Sequence, residues 1–531
     1  MAEVYTADVL VIGGGPAATW AALKAAGNGS NVILVDKGYC GTSGATAPSG
    51  TGVWAGSGDE YQEMVNENYR VKIGGFLAEQ KWKDRVKEQA RRNLIELGKT
   101  GFKGLLNENL ELISSHLPGP DYMRHMRKLV KRAGVTIFDH APALNLLVDD
   151  NGEVAGGQGV FLQKNDASWQ IKAKAVVLAT GGCAYLSNAL GCNVNTGDGY
   201  LMAAETGAEL SGMEFGNLFA ISPVFSSVTK NAFYRYGRYY HEDGSVVKET
   251  ELLSEPFTAA NVFKVQTMLA KRLPHEKIYC RLELAKPHIW EKMRQLQPNF
   301  FLPFDKLGIN PFVDKFEITL RAEGTVRGTS GINIVDDDCR TNVPGLYAAG
   351  DAATRELVAG AFSGGGSHSA AWAMTSGVWA GLGASEYAKT KQLSKHAYVV
   401  SSLPKKASEN GRNAKELLKD LQAVVFPVER NFFKTQATID EDLTKLNRLW
   451  EELKDRGLDK ENDIVFEREV ASMIATARWT FIAANERKEF RGLHQRLDYP
   501  QMDEKQRHRI ILKGVHEPLI RYEPVKSEVY V

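Results

Sequence analysis

Apolar residues recur along this chain in two rhythms, and the switches between them divide it into parts. From Asp8 to Asp36, DVLVIGGGPAATWAALKAAGNGSNVILVD, a β-branched run is followed by glycines, an alanine-rich stretch and a second β-branched run that ends in an acid. That order predicts strand, turn, helix, strand. Residues 54–130 are largely helical in pattern: in EQKWKDRVKEQARRNLIEL the apolar positions recur at helical spacing. From Val135 the periodicity changes. VTIFDHAPALNLLV, the turn Asp149-Asp150-Asn151-Gly152, EVAGGQGVFL and SWQIKAKAVVLATGG predict a meander that feeds a buried strand. The run Ala175–Ala179 is uniformly apolar, as a central parallel strand requires. Residues 217–323, with many aromatics and few glycines, predict an inserted second domain. At Gly345–Asp351 (GLYAAGD) a buried strand again ends in glycine and an acid, which reads as a return to the first domain. From about Asn413 the pattern is helical. Ile439, Leu443, Leu446, Trp450 and Leu453 share one face, and Phe466, Val470, Met473, Ala477 and Phe481 share another. An extended tail is expected from about Lys513. The expected fold class is α/β: a doubly wound domain over 1–216 and 324–400, an inserted α+β capping domain over 217–323, and a C-terminal helical region with its tail over 401–531.

The first turn carries the most chemistry. Gly13, Gly15 and Ala18 fill the three small-residue positions of G-x-G-x-x-G/A. Gly13 permits the tight turn, Gly15 leaves room for a pyrophosphate, and Ala18 lets the helix lie close on the strand. Pro16 suits the first helical turn, where its missing N–H is not needed. Backbone N–H groups and the positive end of the helix dipole would face the phosphates. Asp36 can accept hydrogen bonds from a ribose diol. The fingerprint does not by itself separate NAD from FAD.

Bulk properties narrow the remaining classes. A chain of 531 residues with 43% apolar and 24% charged residues should form two or three soluble domains. A formal net charge of +1 gives no global field favouring nucleic acid or an anionic membrane. No apolar run approaches the length of a membrane span, and no secretory segment is expected ahead of the first strand. Cys40, Cys183, Cys192, Cys280 and Cys339 lack C-x-x-C spacing, which argues against a metal or iron–sulfur site in this chain and fits a reducing cytoplasm.

Four further segments follow the fingerprint in order: GTSGATAPSG (41–50), AKAVVLATGG (173–182), NTGDGYLMAAETGAELSGMEF (195–215) and GLYAAGDAATRELVAGAFSGGGSHSAA (345–371). With ERKEFRGLHQRLDYPQMDE (486–504), they resemble the succinate dehydrogenase/fumarate reductase flavoprotein family, whose relatives include aspartate oxidase and the adenylylsulfate reductase flavoprotein subunit. The resemblance is weak across the inserted domain. It implies FAD. On that basis Gly13, Gly15, Pro16, Ala17 and Ala18 approach the pyrophosphate, Asp36 and Lys37 the adenosine, and Thr42 and Ser43 the pyrophosphate or flavin. It also places Ser49, Gly50, Gly366, Ser367 and Ser369 against the flavin, Ala143 against adenine, and Thr180, Gly181 and Gly182 beside the pyrophosphate. Asp198, Gly350 and Asp351 match flavin and ribitol contacts. No second G-x-G-x-x-G makes a nicotinamide domain.

Departures from the family's motifs limit what else carries over. No histidine stands in 41–46, where covalent members attach FAD, so non-covalent FAD is expected. Phe219 replaces the histidine of E-F-V-Q-F-H-P, Ser363 the arginine of G-A-x-R-L-G-G, and Val326 the histidine of H-Y-T-x-G-G-I. A dicarboxylate needs cationic clamps to offset its desolvation, so succinate, fumarate and aspartate are not the expected substrates. Candidate catalytic residues are His368, Arg327, Arg235 and Arg238; arginine stays cationic and can orient an anionic substrate. Arg355 and Glu356 read as a solvated or helix-capping pair, and Arg491, His494, Arg496 and Asp498 as residues that knit the helical region to the FAD domain. The expected activity is exchange of a hydride between FAD and a small organic substrate under the capping domain. Alternatives are the flavoprotein subunit of a complex with an iron–sulfur or ferredoxin-like partner, and a non-catalytic flavin-binding module.

Overall fold

The computed structural model describes residues 3–55, 70–229, 232–249, 259–363, 365–404, 412–458 and 463–525. β1 (Glu3–Ile12) opens the chain, α1 (Pro16–Gly27) crosses over, and β2 (Val32–Val35) lies parallel to β1 with Val9 beside Val32. β3 (Gly50–Gly52) and β4 (His116–Pro118) form a small antiparallel pair, with α2 (Gln80–Lys99) between them in sequence. α3 (Gly119–Arg132) leads to β5 (Thr136–Phe138), which joins β2 in parallel. β6 (Ala143–Val148), β7 (Val154–Phe161) and β8 (Ala167–Leu178) form an antiparallel meander, and β8 returns parallel to β1. Val9, Leu10 and Val11 in β1 and Ala175–Leu178 in β8 are wholly buried. Both faces of this sheet are covered, which is why its central strands are apolar without alternation.

After α4 (Asp198–Glu205) and β9 (Glu209–Ser211) the chain leaves this sheet. β10 (Leu218–Pro223), β11 (Arg238–Tyr240), α5 (Ala259–Arg272), β12 (Ile278–Arg281), α6 (Pro287–Leu296), α7 (Pro298–Leu307) and β13 (Phe316–Glu323) follow. Their strands make a separate antiparallel sheet in the order β10-β13-β12-β11. Its core is aromatic: Phe300, Phe301, Phe304, Phe312 and Phe316 are buried together, and Trp290 stacks on Phe312 at 4.5 Å. The outgoing and returning strands are partners, with Phe219 opposite Ala322 and Leu218 bridged to Gly324.

The single turn α8 (Gly324–Arg327) and β14 (Gly331–Ile332) lead back, and β15 (Leu346–Ala348) adds to β8 in parallel. α9 (Gly366–Lys389) then packs along α1. Glycine makes that approach possible. A Cβ at Gly377 would stand 2.4 Å from Ala17 O, and one at Gly381 would stand 2.3 Å from Ala21 O. β16 (Tyr398–Val399) pairs with β6, so the first sheet reads β16-β6-β7-β8-β1-β2-β5, with β15 on β8. The C-terminal region holds α10 (Ala414–Val425), α11 (Gln436–Arg456) and α12 (Ile464–Glu486). Asn413 and Glu416 form a capping box that starts α10. The architecture is thus α/β, with a doubly wound dinucleotide-type domain, an α+β insertion and a helical C-terminal region.

Three expectations need correction. The tail after Lys513 is not a free extension: β17 (His508–Lys513) and β18 (Leu519–Pro524) form a hairpin that joins β9 and β14, in the order β14-β9-β17-β18. Residues 526–531 lie outside the described residues. The helical pattern of 54–130 is interrupted between Lys99 and Gly119 by turns and β4, and 56–69 lie outside the described residues. Arg355 and Glu356 are not solvated; they are 1% and 0% exposed. Arg355 pairs with Asp351, and Glu356 accepts a hydrogen bond from Ser211 Oγ at 2.7 Å. The C-terminal motif does tie the parts together: Arg487 joins Glu214 and Glu489 at 2.8 Å each, and Arg491 joins Glu489 and the Gly75 carbonyl. All four charged side chains are fully buried.

Candidate active site

A cavity of about 1160 Å³ runs from the C-terminal ends of β1 and β2 to the insertion. It exceeds the roughly 300–1,000 Å³ usual for small-molecule sites. At one end Gly13 turns with φ +125°, and a Cβ there would lie 2.2 Å from Ala179 O. Pro16 starts α1 with no side-chain cap and no acid in the first turn; α9 likewise starts uncapped at Gly365 and Gly366. The orphan N–H groups of both helices therefore lack side-chain partners, and two positive helix ends serve one cavity. That arrangement fits an anionic group such as a pyrophosphate.

Asp36, at the end of β2, accepts a hydrogen bond from Ser43 Oγ, and burial raises its pKa. Lys37 Nζ reaches Glu469 Oε1 at 2.8 Å, Thr196 Oγ1 at 2.9 Å and Asp198 Oδ2 at 3.0 Å. Burial would lower the affinity of that lysine for its proton, but the two carboxylates prevail and raise it. Asp198 stands in the first turn of α4, and Glu469 comes from α12, so three segments close this end. Gly350, with φ +66°, donates its N–H to Ser376 Oγ at 2.9 Å, and Asp351 is gripped by Arg355.

Most of the expected cofactor residues meet in this cavity. Gly13, Gly15, Pro16, Ala17, Asp36, Lys37, Thr42, Ser43, Ser49, Gly50, Ala143, Thr180, Gly181, Asp198, Gly350, Asp351, Gly366, Ser367 and Ser369 all line it. Ala18 and Gly182 do not. Ala18 is fully buried on the core side of α1, and a Cβ at Gly182 would meet Thr325 Oγ1 at 2.5 Å, so that glycine admits α8 rather than a ligand.

The expected catalytic residues divide. Arg327 and Arg235 line the cavity; the Arg327 guanidinium lies 2.8 Å from where a Cβ on Gly366 would be. Arg238 turns away to Glu283 at 3.0 Å. His368 points to the other side of α9: it is 3% exposed, stacks on Trp54 at 4.1 Å and faces Arg70, with Nδ1 2.7 Å from that guanidinium. It lines a small neighbouring void of about 20 Å³ instead.

Sequence reasoning does not find Arg70, His116, Thr229, Gln266, Gln297, Glu323 or Glu469, which also line the large cavity. None lies in a glycine motif, and long stretches of chain separate most of them. Burial lowers the pKa of His116. Among the described residues no cluster of His, Cys, Asp and Glu could hold a metal ion, and no helix is long and apolar enough to cross a membrane.

The comparisons agree with this geometry. Residues 8–223 match the model of the FAD binding domain, and residues 422–530 match that of the fumarate reductase flavoprotein C-terminus. An uncharacterized FAD-dependent oxidoreductase of Methanocaldococcus jannaschii is 25% identical over 96% of both chains. A Mycobacterium tuberculosis fumarate reductase flavoprotein subunit is 24% identical over 94% of this chain and 93% of its own. The fold is that of a mutant E. coli quinol fumarate reductase chain, with TM-score 0.79 at 21% identity over 99% and 98%. It is also that of Archaeoglobus fulgidus adenylylsulfate reductase, with TM-score 0.77 at 18% identity over 99% and 97%. The chain is a FAD-dependent oxidoreductase and belongs to the succinate dehydrogenase/fumarate reductase flavoprotein family.

Proposed function

We propose that this chain binds FAD non-covalently and uses it to oxidise or reduce a small organic anion held beneath the insertion, which acts as a cap over residues 217–323. The observation that carries this reading is the continuity of one cavity from the uncapped starts of α1 and α9 to Arg235, Gln266 and Gln297 of the insertion. Bound FAD supplies two-electron hydride exchange at its N5. The protein's own residues do the rest. Arg235 and Arg327 orient the anionic group through fixed cationic forks. Phe233, Leu218 and Leu296 present apolar surface that excludes water from the same space. Ser363 lines the cavity where the family's motif has arginine, and Phe219 is buried in the insertion's core. Both support a substrate other than succinate, fumarate or aspartate. Five buried cysteines, all free, support a reducing compartment such as the cytoplasm.

The test is spectroscopic. Purified protein should show oxidised flavin absorbance that is released on acid denaturation, and one member of an anaerobic panel of amines, organic acids and sulfur compounds should bleach it. Absence of flavin after gentle preparation and added FAD refutes the reading. A second reading, supported by the relative named as a flavoprotein subunit, makes the chain part of an electron-transfer complex. Stable co-purification of a cysteine-rich iron–sulfur or ferredoxin-like protein would favour it, and full turnover of the isolated chain with a soluble acceptor would count against it.

A further inference from the structure

Two-electron oxidation of an organic molecule removes a proton as well as a hydride, and the walls of the cavity offer few places for that proton. The carboxylates near β2, Asp36, Asp198 and Glu469, are engaged with Ser43 or Lys37, and Asp351 is held by Arg355. Glu323 stands apart by its place, not by a lack of partners. It stands at the last position of β13, where the insertion ends, and its carboxylate is 3% exposed yet borders the cavity. Three groups from three segments face it. Thr229 Oγ1 donates to Oε1 at 2.6 Å, Cys192 Sγ lies 3.6 Å from the same oxygen, and Arg327 Nε lies 3.5 Å from Oε2.

The turn that follows is fixed to the dinucleotide side. Thr325 N donates to Cys183 O at 2.9 Å, Thr325 Oγ1 accepts from Cys183 N at 2.7 Å, and Tyr200 reaches both that hydroxyl and the Asp351 carbonyl. A Cβ on Gly182 would lie 2.8 Å from Val326 N, so the turn lies directly on the Thr180–Gly182 loop. The turn after Glu323 thereby ties this end of the insertion to the expected cofactor position.

We propose that Glu323 is the proton carrier of the redox site, with Arg327 and Thr229 as positioning residues. The inference rests on the FAD reading above. In the oxidative direction one substrate C–H bond breaks and its electron pair leaves with the hydrogen as hydride to FAD. A second bond, C–H or N–H, breaks and leaves its proton on the Glu323 carboxylate. The electron pair left behind forms the new C=C or C=N bond. The substrate loses two electrons and two hydrogens, FAD is reduced by two electrons, and Glu323 becomes a carboxylic acid that later yields its proton to water. Reduction reverses each transfer. Added negative charge in a shared low-dielectric cavity also favours protonation of a carboxylate in its wall, and we assign that proton to Glu323.

The test needs no substrate. Infrared difference spectra of the FAD-loaded enzyme before and after photoreduction should show a protonated-carboxyl C=O band. That band should vanish in Glu323→Gln, persist at a shifted frequency in Glu323→Asp, and shift in wild-type protein grown on 13C-glutamate. The label assigns the band to a glutamate without any variant, and the shift in Glu323→Asp, the milder substitution, assigns it to this one. His116→Asn should leave the band unchanged. A wild-type protein that reduces normally without such a band, or a band that survives in Glu323→Gln, overturns the proposal while leaving the FAD reading intact. Failure to bind FAD removes both.

Discussion

At the scale of single residues, the site is built by what glycine omits and by buried charges that match. Gly13→Ala combines a disallowed φ with a Cβ 2.2 Å from Ala179 O. It should cost about 1–3 kcal/mol in backbone strain alone and weaken FAD binding roughly tenfold or more, since 1.4 kcal/mol is a factor of ten; flavin-fluorescence titration checks this. Arg487→Met leaves Glu214 buried without its cation, while Glu489 keeps Arg491. Breaking a buried pair in this way destabilises by about 3–5 kcal/mol, which a denaturant midpoint would register. The glycine turn and Asp36 were legible because small residues at fixed offsets admit few explanations. His368 was misplaced because proximity to a glycine motif fixes position but not direction. On α9 the residues lining the cavity include Gly366, Ser369, Ala370 and Ala373, one helical stripe, and His368 lies off it, against Trp54. Helical phase, available in the sequence, was the missing signal. Glu323 and Arg70 leave no such trace, since only the folded chain brings them to the cavity.

Between elements, the decisive contact is α1 against α9. Gly377 and Gly381 let the two backbones approach, and both helices point their starts at one cavity. Gly381→Leu should force them apart at a cost of about 1–3 kcal/mol, lowering both thermal midpoint and FAD affinity; parallel melting and titration would show the two losses together. The parallel core and the helical C-terminal region could be read from periodicity. The β17–β18 hairpin could not. Its outer strand is exposed along nearly its whole length, so no alternation marks it, and its pairing depends on β9, nearly three hundred residues upstream.

For the molecule as a whole, two buried groups shape the response to pH. Burial, then the charge of Glu214, pushes Glu356 up to about 7. The folded protein keeps that proton where the unfolded chain has lost it, so this contribution to stability is full at low pH and disappears as pH rises toward 7. Burial, then Arg496, pulls Lys434 down to about 7. Here the unfolded chain binds the extra proton, so stability grows as pH rises from 7 toward the ordinary lysine range. Together they place a minimum of stability near neutrality. Glu356→Gln should flatten the acid side and Lys434→Met the alkaline side, in denaturant midpoints measured across pH. FAD should offset the minimum: at a hundredfold excess over its Kd a ligand adds about 2.7 kcal/mol, visible as a rise in Tm.

The chain departs for its second sheet along β10 and comes home along β13, and those two strands lie side by side, bonded to each other. The chain thus enters and leaves the insertion through one pair of strands, while Asn299 on the Pro48 carbonyl and Phe432 and Phe433 in its core hold it from outside. A relative's counterpart could be spliced in at the same two points without rethreading the yellow-cofactor half, provided that it kept those outside contacts. Diversity of substrates across such proteins then calls for a change of hat, with Ser363 and Arg327 of the head altered to suit.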